Sequence, residues 1–130
     1  MVVGIVDAEK VLEYARDEYR RFLEEQEPLL LADACEKAWM AAVIATDALL
    51  VYYGFKKPES YRERRELLDK LEEMDEEAKH LGIADRFSAR AYKLHILGFH
   101  ERTLTPQEFE REIDKIQTYI RDIQSLIKRR

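Results

Sequence analysis

The chain has 130 residues, of which 38% are charged and 46% hydrophobic, with a formal net charge of −5. A chain of this length buries roughly two thirds of its unfolded surface in one core, so residues 1–130 are expected to form a single domain without covalent staples. The acidic balance excludes capture of long nucleic acid through a general positive field, and the lone Cys35 excludes an internal disulfide.

Cys35 is therefore expected to be a buried free thiol in a reducing, cytoplasmic setting. High charge and the lack of any Asn point to a heat-adapted source. The start, MVVGIVDAEKV, has neither the basic opening nor the long apolar run of a secretory signal, so export is not expected.

Asp7 is placed to cap a first helix, along which Ala8, Leu12, Ala15, Tyr19 and Phe22 repeat at spacings of four and three through about Gln26. Glu27-Pro28 interrupts it and suits the first turn of a second helix. The stretch from Ala32 to Phe55 is apolar on nearly every face and forms that second helix, which ends at Gly54. A helix apolar all round is enclosed by others. Asp47 argues against a membrane span, since a central carboxylate costs roughly 2.5 to 3.5 kcal/mol in a bilayer.

Its least apolar stripe, through Asp33, Glu36, Lys37, Met40, Ile44, Asp47 and Val51, still carries three large apolar residues. Met40, Ile44 and Val51 need cover from another helix or from a second protomer, and a symmetric homodimer is the preferred expectation. Asp47 needs a partner, either an Arg or Lys at the core edge or a polar cleft shared with the fourth helix.

Ser60 and Glu63 make a capping box for a third helix whose apolar face is Tyr61, Leu68 and Leu71 with Leu67 and Met74 alongside, and Gly82 breaks the chain. A fourth helix is expected from about Asp85 to Phe99. It places Phe87, Ala91, Leu94 and Gly98 on one stripe and Tyr92, His95 and Phe99 on the next. Thr105, Pro106 and Glu108 start the last helix, whose seam is Phe109, Ile113, Ile116, Ile120, Ile123 and Ile127. The sum is an all-α, up-and-down bundle of about five antiparallel helices.

Glu77-x-x-His80 is half of a di-iron motif whose second copy is missing, so no metal or cofactor is expected from it. Arg62, Arg64 and Arg65, like Lys128, Arg129 and Arg130, read as solvated ion-pairing faces. The aromatics Trp39, Tyr52, Tyr53, Tyr92 and Phe99 read as packing.

Two segments, DACEKAWMAAVIATDALL and ARAYKLHILGFHERTLTPQEFEREIDKIQTYIRDI, resemble the archaeal PaREP1 family. The likeness rests on Ala91, Leu94, His95 and Phe99 together with Glu36, Lys37, Trp39 and Ala41. It implies membership of the HEPN-like superfamily of helical bundles, whose proteins often dimerise. Its ribonuclease members pair an Arg-x4-6-His motif across two protomers and cut RNA without metal. Arg90 and His95 have that spacing, with Arg90 as phosphate holder, His95 as acid or base, and Asp47 or Tyr92 as orienting groups. Residues five apart on a regular helix diverge by about 140°, which opposes convergence within one chain. The expected function is a homodimeric binding or assembly module rather than an enzyme. The alternatives are a metal-independent endoribonuclease of a toxin or defence system, and a partner of a separately encoded nucleotidyltransferase.

Overall fold

The computed structural model describes residues 3–129; Met1, Val2 and Arg130, the last of these part of the basic tail noted above, lie outside the described residues. Six helices and no strand occur among the described residues, one helix more than periodicity alone predicts. They are α1 (Val3–Glu25), α2 (Pro28–Tyr52), α3 (Tyr61–Met74), α4 (Glu76–Leu81), α5 (Ile83–Arg90) and α6 (Pro106–Arg129). Helix α5 runs without a break into a π-helical segment, Ala91–His100.

The link between α1 and α2 is only Gln26-Glu27, with Gln26 at φ 59° and Pro28 opening α2. So short a connection folds the two long helices back on each other as an antiparallel pair. Helix α1 begins before Asp7, which is therefore not its cap. Ile5 is buried beneath it, and Gly4 lies so close to α2 that an added Cβ would sit 2.7 Å from the Ala48 Cβ. This helix contact draws one more turn into α1 than a local capping signal predicts.

The enclosed character of α2 holds for most of its length, with Ala34, Cys35, Ala38, Ala41, Ala42, Ala45, Leu49 and Leu50 buried. The inward seam of α6 is Phe109, Ile113, Ile116, Ile120, Ile123 and Ile127, all buried. Between the two helices the buried Tyr119 hydroxyl meets Thr46 Oγ1 at 2.6 Å, and Thr46 in turn donates to the Ala42 carbonyl at 2.7 Å. Both polar groups are thus satisfied inside the core, which removes the penalty of burying them bare.

The unpredicted helix comes from Asp75. Its carboxylate accepts from the Glu77 and Ala78 amides at 2.9 and 3.1 Å, so it ends α3 and caps α4 at one residue. Tyr53 Oη donates to the same carboxylate at 2.5 Å, and Arg129 Nη2 reaches it at 3.1 Å. Burial by itself raises the Asp75 carboxyl, but the Tyr53 hydroxyl, the Ala78 amide and Arg129 outweigh it and hold it below the ordinary carboxylate range. Gly82 then breaks the chain as expected, in the left-handed region at φ 65°.

The start of α6 is the reciprocal cap that Thr105-Pro106-x-Glu108 specifies, with Glu108 N–H donating to Thr105 Oγ1 at 3.1 Å and Thr105 N–H to Glu108 Oε1 at 2.9 Å. At α3 only half of the predicted box forms: Glu63 N–H donates to Ser60 Oγ, while the Glu63 carboxylate takes the Glu59 amide instead.

Among the described residues no helix is long and apolar enough to cross a membrane. Cys35 is fully buried, and desolvation first, then the Glu112 and Glu36 charges, pushes its thiol up to about 12. At pH 8 that lowers the thiolate fraction about 10³-fold relative to a free thiol. Ellman's reagent is accordingly expected to label the folded protein at least about 100-fold more slowly than the protein in guanidinium, and equal rates would contradict the burial.

Candidate functional site

A groove of about 470 Å³ opens where α2, the start of α3 and the α5–π helix meet. Trp39 and Val43 come from α2, Tyr61 and Arg64 from α3, and Ser88, Ala91, Tyr92, His95 and Ile96 from the α5–π helix. Its size and its aromatic walls with a few polar groups are those of a small-ligand or side-chain pocket. Trp39 packs on Phe87 with ring centroids 5.0 Å apart, which stiffens the floor, while Tyr92 at the mouth is 56% exposed.

At the rim His95 Nδ1 lies 2.8 Å from Glu36 Oε1. A carboxylate only accepts, so Nδ1 carries a proton, and in the neutral ring Nε2 is the nitrogen left with a lone pair. His95 Nε2 is 3.1 Å from His100 Nε2. Phe99 stacks on the His95 ring at an interplanar angle of 15°, holding its plane. A residue five positions on meets its neighbour here because the segment is π-helical: the Glu101 amide bonds to the Ile96 carbonyl at 2.8 Å, an i→i+5 link.

Of the other site candidates, Arg90 and Asp47 are placed elsewhere. Arg90 is buried and faces α6, with Nε 2.5 Å from Glu112 Oε1 and Nη2 3.4 Å from Oε2. It borders a separate cleft with Arg86, Asp114, Lys115 and Thr118, which shares no residue with the His95 groove. Arg90 and His95 thus have different partners within one chain, and Arg90 has no hand in the groove. Asp47 does not orient His95 either; Arg64 grips it bidentately, at 2.7 and 3.0 Å. Of the two expectations for Asp47, the ion pair at the core edge is the one observed, and the carboxylate on His95 is Glu36. Tyr92 lines the His95 groove but makes no hydrogen bond to His95 among those present.

Arg64, read from sequence as a solvated charge, is the cation that reaches the groove, because Asp47 pulls it inward. His100 was no candidate at all, and the only trace of its role is the i, i+5 spacing from His95. That spacing carries meaning only once the helix is known to be widened.

Of the apolar stripe residues of α2, Ile44 and Val51 line a second groove and Met40 lies outside it. Met40 is 46% and Val51 49% exposed, and Ile44 is partly buried. Ile44 and Val51 border a groove of about 580 Å³ with Gly4, Ala48 and Tyr52, rimmed by Asp7 and Lys57. The chain itself therefore leaves Met40 and Val51 exposed and covers Ile44 only in part.

Fold and site together define a small all-α protein with a histidine-rimmed aromatic groove and one uncovered apolar helix face. The family model of the archaeal PaREP1/PaREP8 family matches residues 10–120, and the chain belongs to that family. Neither a curated protein nor a solved structure matches it.

Proposed function

We propose that this PaREP1/PaREP8 protein is a HEPN-like, homodimeric binding and assembly module that pairs through the open stripe of α2. The observation that carries the reading is the exposure of Met40 and Val51 on a helix whose middle is otherwise buried or partly buried. Positions 40, 44 and 51 recur at helical spacing, so an antiparallel copy of the same helix presents matching residues across a twofold axis. Asp7 and Lys57 at the rim give such a copy opposite charges to meet. In this arrangement the aromatic groove stays open as the binding surface, with RNA or a nucleotidyltransferase as the partner classes the family likeness suggests.

Sedimentation velocity at micromolar concentration is expected to give a species of twice the 15.5 kDa chain mass. The double variant Met40→Glu, Val51→Glu is expected to sediment as a folded monomer, since exposed positions change chain stability by only about ±0.5 kcal/mol. A native protein that sediments as a monomer overturns the proposal.

A further inference from the structure

Among the described residues no group of three or more His, Cys, Asp or Glu side chains is gathered around a metal-sized site. A two-imidazole chelate needs fewer donors, and one is present at the groove rim. The His95 and His100 Nε2 atoms stand 3.1 Å apart with ring planes at 85° and ring centroids 4.5 Å apart. Centroids this near, at that nitrogen separation, are closer than a collinear N–H···N pair would place them, so at least one ring is turned off the N···N line.

At the usual metal–imidazole length of about 2.0 to 2.1 Å, two nitrogens at this separation subtend about 100° at an ion. That angle lies between the octahedral and tetrahedral values. The supporting shell is also present. Glu36 accepts from His95 Nδ1–H, which is the carboxylate–histidine arrangement that fixes the tautomer and raises the basicity of a metal-ligating imidazole. Phe99 stacks on the His95 ring as well. The His100 proton moves to Nδ1 to free its own Nε2, a tautomer shift that leaves the ring neutral.

We infer that His95 and His100 form a bidentate site for a borderline divalent transition ion such as Zn²⁺ or Ni²⁺, created by the π-helical turn that brings i and i+5 together. Water fills the other positions, so the bound ion stays open to a ligand in the adjoining groove. Imidazole donors select ions of this class over Mg²⁺, which takes oxygen ligands. The inference does not depend on the dimer.

Calorimetric titration of the purified, chelator-treated protein with NiCl2, and separately with ZnCl2, tests it. One ion per chain is expected, with no heat of binding from MgCl2. His100→Ala and His95→Ala are each expected to abolish saturable binding, Glu36→Gln to weaken it about 10-fold, and His80→Ala to leave it unchanged. His100 is exposed, so its variant folds, and circular dichroism verifies this. Binding that survives His100→Ala, or no saturable binding by the native protein, overturns the assignment.

Discussion

Arg90→Ala is expected to destabilise the protein by about 3 to 5 kcal/mol, measured as a fall in the urea midpoint at unchanged slope. The Arg90 and Glu112 side chains are 8% and 3% exposed, so truncating one strands the other's charge in the core. Lys115 Nζ, 3.8 Å from Glu112, lies on a half-exposed side chain and compensates only in part. Arg90→Lys is expected to fall short as well, because an ammonium cannot supply the two-pronged guanidinium grip. The pair itself is a different matter from either partner. Arg90→Met combined with Glu112→Leu is expected to return to within about 1 kcal/mol of the native protein, since apolar replacement of a whole buried pair is often neutral or better. If Arg90→Ala unfolds like the native protein, the structural role assigned to Arg90 fails, and a role for it outside the core becomes the better reading.

Gly98→Ala is the second large effect, expected at about 2 to 3 kcal/mol through overpacking. A Cβ at position 98 would lie 2.5 Å from Cys35 Sγ and 2.6 Å from Cys35 Cβ, and the latter cannot rotate away. The π segment and α2 must therefore move apart, which also disturbs the His95–Glu36 contact between the same two helices. Cys35→Ala is expected not to rescue Gly98→Ala, because it keeps the Cβ. Cys35→Gly is expected to rescue it in part, less the roughly 1 kcal/mol that glycine costs inside a helix. Thermal unfolding of the single and double variants checks both statements. A fully stable Gly98→Ala would mean that the two helices have room the structure does not show.

These two sites mark the boundary of what patterns along the chain can reveal. The heptad seam of α6 and the Thr105–Glu108 cap are local, recurring signals, and each is found where the sequence places it. The same is true of the apolar α2 and of Gly82, where backbone conformation narrows the choice. Asp75 is different. As one acid in the run Glu72-Glu73-Met74-Asp75-Glu76-Glu77, it stands out only when Tyr53 and Arg129 converge on it.

The site was less legible than the fold. Arg90, His95, Asp47 and Tyr92 are all present as chemistry, but a sequence gives types and spacings and not partners. Arg90 is claimed by Glu112, Asp47 by Arg64, and His95 by Glu36, all from other helices. Only Tyr92 and His95 share the groove, joined there by Arg64. The π turn is the clearest instance. It shifts the backbone bonding from four residues to five, and nothing in Ala91–His100 announces it.

By itself, then, the sequence determined an all-α chain, the apolar faces of its long helices, the Ser60 and Thr105 caps, and a stripe on α2 in need of cover. Each of these follows from residues within a turn or two of one another. Tertiary structure alone decided which charges pair, that Gly98 must be bare, and that His95 meets His100. Those outcomes depend on side chains from different helices, or on a helix widened where it packs against another, and burial makes each interaction strong enough to override the local pattern.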